Sequence, residues 1–313
     1  MSSAPLFDER PPFERERLAA KLGALAAQGI LIGTSSWKYP GWLGQIYTRE
    51  RYLTRGGFST RRFEVECLAE YAQTFPIVCG DFSFYQFPSE QFWRKLFGSA
   101  PASLQFVLKV PEEITARVFP THARYGPRAG LPNPAFLDAA LFEEGFLKPL
   151  SAWRGQIAAV IFEFGAFSQK SYAFIEDLDR FLAALPQGPR YSVEVRNPEL
   201  LGPEYFQCLK SHGVAHVFNA WARMPELGRQ IQMPDAFTTD FTVCRALLRQ
   251  GRAYAEAVEL FSPYEQIKDP NPEGRQAIRD LMAWARDKKR AAFIFVNNRF
   301  EGNAPGTIEA VVD

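Results

Sequence analysis

Two charged residues alternate with two valines in Val193-Glu194-Val195-Arg196. In an extended strand successive side chains point to opposite faces, so the valines share one face and Glu194 and Arg196 the other. A carboxylate beside a guanidinium can move a proton, grip an anion or form an ion pair. The same parity sets Lys109 with Val107, Glu163 with Ile161, Asn219 with Val217 and Arg245 with Val243. If the valine face of residues 193–196 meets a helix layer, Glu194 and Arg196 point into whatever the strands enclose. Asp81, Asn297 and Asn298 also stand where an apolar run turns polar, and Trp37 and Tyr85 lie beside such exits.

Stepping along the chain, these polar exits close eight apolar runs, near residues 30–37, 76–85, 104–110, 157–164, 191–197, 214–219, 241–245 and 291–296. Continuous apolar runs of this length read as strands buried on both faces. Helical or loop material separates each from the next, with segments at residues 61–74, 89–97, 136–150 (read as a helix), 168–184 and 204–212, and two, 254–263 and 272–289, between the seventh and eighth runs. Such alternation predicts one closed (β/α)8 barrel of the TIM type. An open doubly wound sheet would have similar spacing, but Gly33-Thr34-Ser35-Ser36 lacks the glycine pattern of a dinucleotide loop. Residues 1–29 are expected to form a polar arm and a helix, with Leu18, Leu22 and Leu25 on one face, that plugs or flanks the barrel. Residues 30–313 form the barrel. The stretch 115–134, rich in Pro, Arg and Gly, is too long for a simple connection and reads as a lid or binding loop.

The net charge of +1 gives bulk electrostatics no pull on nucleic acid or an anionic membrane. No apolar run approaches the length of a membrane span, and no leader pattern opens the chain. The cysteines Cys67, Cys79, Cys208 and Cys244 form no C-x-x-C pair, so reduced buried thiols in a cytoplasmic protein are expected. His122, His212 and His216 share no spacing that would build a zinc site. No cofactor is expected, although Asp81, Glu163 and Glu194 could together take a hard divalent cation.

In a parallel barrel the working face lies at the C-terminal strand ends. There Lys109, Arg196 and Arg245 suit an anion. Asn219, Asn297 and Asn298 could orient hydroxyls, Trp37 and Tyr85 could stack on a ring, and Glu194, Glu163 and Asp81 could act as acid, base or nucleophile. Glu163 and Glu194 on adjacent strands could stand as close as a retaining glycosidase needs, about 5 Å. The common barrel glycosidases carry their pair after strands four and seven, and Arg245 ends the seventh here. Two other readings stay open. The charges could be a structural ion-pair network, or the rim could bind a ligand without chemistry. A weaker reading, nucleic-acid processing, would use the aromatics and the arginines of residues 117–128.

Several of these runs together resemble the domain of unknown function 72 family (DUF72, YecE-like). They are Ile32-Gly33-Thr34-Ser35-Ser36-Trp37 with Tyr39 and Trp42; Phe82-Ser83-Phe84-Tyr85 with Pro88; Phe106-Val107-Leu108-Lys109-Val110-Pro111; Val193-Glu194-Val195-Arg196; and Val296-Asn297-Asn298 with Glu301-Gly302-Asn303-Ala304-Pro305. The resemblance spans nearly the whole chain and implies a TIM-type barrel with no settled reaction. This chain departs from the family pattern at Cys79-Gly80-Asp81, at Phe162-Glu163-Phe164-Gly165-Ala166, at Asn303, and after the seventh strand at Arg245-Ala246-Leu247-Leu248. It resembles a divergent member. The reading carried forward is a barrel enzyme of hydrolase or isomerase type, acting on a small anionic or polyhydroxy metabolite. The alternative is a non-catalytic binding barrel.

Overall fold

A computed structural model of the chain describes residues 13–167 and 173–313. Eight parallel strands close into one barrel: β1 Ile30–Thr34, β2 Ile77–Gly80, β3 Gln105–Lys109, β4 Ile157–Phe164, β5 Tyr191–Val195, β6 Ala215–Ala220, β7 Phe241–Ala246 and β8 Ala291–Val296. Each pairs with its neighbours in sequence, and β1 returns to β8. The main helices are α1 Arg15–Ala26, α2 Thr60–Tyr71, α3 Glu90–Gly98, α4 Phe174–Ala183, α5 Pro203–Ser211, α6 Pro272–Lys288 and α7 Ala304–Val312. The expected arm over residues 1–12 and the start of the helix expected from 168 lie outside the described residues.

The apolar side chains separate into an inner and an outer set, as strand parity requires. Inside the barrel, Ile77, Cys79, Val107, Ala159, Ile161, Val217, Val243, Phe293 and Phe295 form one buried cluster. Val193 and Val195 belong to the other cluster, between strands and helices. Glu194 therefore points inward, and so do Lys109, Glu163, Asn219 and Arg245, each two residues beyond an inner aliphatic. The register sets Glu163 beside Glu194 and Asn219 beside Arg245.

α1 flanks the barrel rather than plugging it. Leu18, Leu22 and Leu25 are buried in the outer core, while Arg17 and Lys21 both pair with Asp313. The stretch 136–150, expected as one helix, is a succession of shorter turns: Ala139–Phe142, a π-helical turn Glu143–Leu147 and a 3-10 segment Lys148–Gln156. Pro149 has no N–H to continue an α-helical ladder. Gly145 lies under Phe87, where a Cβ would stand 2.9 Å from the ring.

The barrel's thinnest seam joins β1 to β2, where the ladder register holds only Thr34 against Val78. Tyr71 of α2 bridges the gap. Its hydroxyl accepts from the Thr34 N–H at 2.9 Å and donates to the Ile77 carbonyl at 2.9 Å. Gly33 sits at this seam because any Cβ would lie 1.8 Å from the Ile77 carbonyl oxygen.

Candidate functional site

Three cations and three carboxylates meet at the C-terminal end of the barrel. Lys109 Nζ lies 2.9 Å from both Asp81 Oδ1 and Glu163 Oε2. Arg196 Nη2 lies 2.6 Å from Glu194 Oε1 and 3.3 Å from Glu163 Oε2. Arg245 Nη1 bonds Glu163 Oε2 at 2.5 Å and also contacts Glu194 Oε2, while its Nη2 stands 3.6 Å from Asp81. The six formal charges cancel. Such mutual pairing is what makes burial of ionised groups tolerable.

Exposure grades across the cluster. The Glu194 side chain is 0% exposed, Glu163 13% and Asp81 45%. Asp81 is therefore the edge of the cluster that meets solvent, and Glu194 its floor. Aromatic faces hold two of the cations: Phe84 lies 3.6 Å from Lys109 Nζ, and Trp221 lies 4.2 Å from the Arg196 guanidinium. Asn219 uses its amide to donate to the Val195 and Val217 carbonyls, and its oxygen faces Arg196 at 3.5 Å.

The electrostatics follow from this pairing. Burial pushes the Glu163 carboxyl up, but Lys109, Arg196 and Arg245 outweigh it and hold the group well below the usual carboxylate range. Burial works against the Lys109 and Arg245 charges, yet the carboxylates keep both pKa values raised. The three carboxylates considered for a hard cation thus face three cationic side chains. Among the described residues no three His, Cys, Asp or Glu side chains are arranged to hold a metal.

The remaining expected site residues lie at or beside the mouth in different roles. Asn297 Oδ1 caps the turn Asn298–Glu301 by accepting from the Arg299 N–H. Asn298 Oδ1 accepts from Trp42 Nε1 at 3.1 Å and from the Ala304 N–H at 2.8 Å. Both amide oxygens are occupied by the fold, and Asn298 Nδ2 is buried without an acceptor. Trp37 is buried against Phe82. Tyr85 is 48% exposed and carries the Arg124 guanidinium over its ring at 4.0 Å. Asn303, a departure from the family pattern, caps α7 through the Gly306 N–H.

One group at the rim escaped the sequence reading. Glu112 stands three residues after the end of β3, half-buried beneath the 115–134 excursion, and its carboxyl contacts the Tyr125 hydroxyl. Burial pushes it up to about 7, against the lowering effect of Arg124 and Lys109. The signal was present in Lys109-Val110-Pro111-Glu112-Glu113, where the acids come just after the strand's exit. The excursion itself is ordered by Asn133, whose amide donates to the Glu113 and Ala116 carbonyls at 2.7 Å each, and by Arg128 on Glu113 at 3.0 Å.

The histidines and cysteines take structural places. His216 is buried among Tyr205, Phe206 and Phe218, and burial pushes its pKa down to about 3. His212 pairs with Asp179. All four cysteines are buried and unbridged. The grooves elsewhere include one of about 480 Å³ at the opposite end of the barrel, lined by Leu147, Arg154, Ala158 and Arg190, away from the charge cluster.

The sequence profile described as "Protein of unknown function DUF72" matches residues 31–313. The chain belongs to the DUF72 family. Two solved DUF72 structures share the fold. One, from Thermotoga maritima MSB8, is 18% identical with a TM-score of 0.60, over 90% of this chain and 97% of the other. Another, from Enterococcus faecalis V583, is 14% identical with a TM-score of 0.54, over 90% of this chain and 94% of the other. No curated protein matches the chain. The DUF72 assignment thus accounts for the barrel and assigns no reaction. No helix among the described residues is long and apolar enough to cross a membrane.

Proposed function

We propose that the C-terminal rim of this DUF72 barrel receives a small anionic or polyhydroxy molecule and acts on it as a hydrolase or isomerase. The observation that carries this reading is the buried, charge-balanced cluster that opens to solvent at Asp81. A well-packed apolar plug would stabilise a barrel as well as a buried ion-pair network, and often better. An incoming anion has a defined way in: it replaces the Asp81 carboxylate on Lys109 and Arg245. Glu163 lies within reach of such a ligand, whereas Glu194 anchors the two arginines from below.

In this reading Glu112 joins Glu194, Glu163 and Asp81, the carboxylates expected from the sequence, as a candidate for proton transfer. A general acid or base works best with a pKa near the ambient pH. Glu163 is held too low for that role, and Glu194 has no exposed surface. Glu112, near 7 and beside the mouth, fits. The low value of Glu163 favours the second reading, a barrel that binds without chemistry, if Glu112 proves idle.

Thermal unfolding against sugars, sugar phosphates, carboxylates, nucleotides and divalent metals, with and without chelator, tests the reading. A ligand that binds the native state raises the unfolding temperature. An anion bound at the rim should stabilise Asp81→Asn more than wild type, because the competing carboxylate is gone, and Lys109→Met less. If no compound shifts any of the three, and the variants differ only in intrinsic stability, the cluster is structural. With a substrate in hand, loss of turnover but not of affinity in Glu112→Gln separates enzyme from binding protein.

A further inference from the structure

Three arginines rise from the loops after the last two strands: Arg249 and Arg252 after β7, and Arg299 after β8. Arg249 Nη1 and Arg252 Nη2 approach the same atom, Asp269 Oδ2, at 2.8 and 2.6 Å. One carboxylate oxygen therefore serves two guanidinium groups. Glu256 Oε1 stands 3.6 Å from Arg252 Nε, an ion-pair distance without a hydrogen bond. Arg299 has no ion pair with any described residue; its guanidinium lies 4.5 Å over the ring of Tyr254. Arg252 Nε and Nη1 and Arg299 Nε are all buried without an acceptor. A buried donor left unmade costs about 1–3 kcal/mol, and more when charged, so three together call for an explanation.

The three side chains border one patch. Tyr254 opens the helix Tyr254–Phe261 two residues after Arg252. Asp269 donates its N–H to the Glu301 carbonyl at 3.1 Å, at the end of the short turn that carries Arg299. Arg299 also faces the barrel mouth. The partly buried Tyr39 hydroxyl, pushed up by desolvation, feels both Arg299 and Asp81. Unlike the six balanced charges at the rim, these three cations form ion pairs among the described residues only with Asp269 and Glu256, while Glu226 acts on Arg249 from further off.

We infer that this patch seats the phosphate group of a small phosphomonoester whose polar body reaches Asp81 and Glu163. The inference rests on the rim reading above and names its substrate class. Planar guanidinium groups match phosphate oxygens in bidentate pairs, and the donors left open here are guanidinium N–H groups. In parallel barrels the loops after strands seven and eight are a frequent phosphate seat.

Titration calorimetry with inorganic phosphate, glucose 6-phosphate and glucose tests it on wild type, Arg299→Gln, Arg299→Lys and Lys109→Met, each first confirmed as folded by circular dichroism. Wild type is expected to bind phosphate. Arg299→Gln should weaken that binding by roughly tenfold or more, as loss of one charge-assisted hydrogen bond implies. Arg299→Lys, which keeps the charge but not the fork, should fall between, and Arg299→Gln should weaken inorganic phosphate binding more than Lys109→Met does. Glucose 6-phosphate should bind more tightly than glucose, by an increment that Arg299→Gln removes. If Lys109→Met loses phosphate while Arg299→Gln keeps it, the anion sits on the buried cluster; the arginine patch is then overturned and the rim reading stands. Absence of phosphate binding to wild type, or equal binding of glucose and its phosphate, overturns the inference as well.

Discussion

Glu194 and Asp81 belong to one charge cluster yet differ in what their loss would do. Glu194 is fully buried against Arg196 and Arg245. Glu194→Ala strands two buried guanidinium groups and is expected to cost about 3–5 kcal/mol, seen as a lower urea midpoint. Asp81 is nearly half exposed, and Asp81→Asn should cost under about 1 kcal/mol. Equal losses would show that burial does not grade the cluster as described. The carboxyls also set opposite pH trends. Glu112 has a folded pKa of about 7 against an ordinary 4.5. Its contribution favours the folded state below about 4.5 and is lost as pH rises through about 7. Glu163 is depressed, so its contribution holds above about 4.5 and fades as pH falls further. Glu112→Gln should therefore flatten the unfolding-temperature profile between pH 4.5 and 7 and leave the acid limb unchanged. An unaltered profile would remove Glu112 as the group titrating there.

Among the elements, the strands were legible and the polar exits only partly so. Residues 157–164 were read with the boundaries they have, because a buried parallel strand writes a continuous apolar run. Parity alone also sets Lys109, Glu163, Glu194, Asn219 and Arg245 on the inner face. The asparagines after β8 were harder. Asn297 and Asn303 each precede a helical turn, and Asn303-Ala304-Pro305 carries the N-cap and first-turn proline of a helix start. The pattern was in the sequence but competed with a reading that placed every polar exit in the site. Asn303→Ala should lower stability by about 1 kcal/mol through loss of the α7 cap, measured by thermal or urea unfolding; a neutral result would mean that Thr307 and the neighbouring backbone suffice. The 115–134 excursion was recognised as a distinct loop, but its pins were invisible, since Asn133 bonds carbonyls about 20 residues back. Asn133→Ala should speed hydrogen exchange across residues 116–132 with little effect on β3 and β4 amides. Uniform acceleration through the barrel would show that the excursion unfolds only with the whole.

At the scale of the whole molecule, the closed eight-stranded barrel followed from counting runs, whereas the way it closes did not. The ladder weakens between β1 and β2, and no periodicity announces that a tyrosine of α2 will supply the missing bonds. Tyr71→Phe keeps the ring and removes the hydroxyl, leaving the Thr34 N–H and Ile77 carbonyl buried without that partner. The expected loss is about 1–3 kcal/mol, with the fastest-rising hydrogen exchange at Thr34. An unchanged midpoint would mean that the seam relaxes into direct pairing. The same seam bears on the order in which the protein can assemble as it is made. β1 is the first of the eight barrel strands to be synthesised, and the next barrel strand, β2, offers it one ladder partner and a tyrosine. Its full partner is β8, where Ile30 meets Ala292. The first strand must therefore wait for the last, and through most of synthesis its edge stays open to capture by chaperones or by other nascent chains.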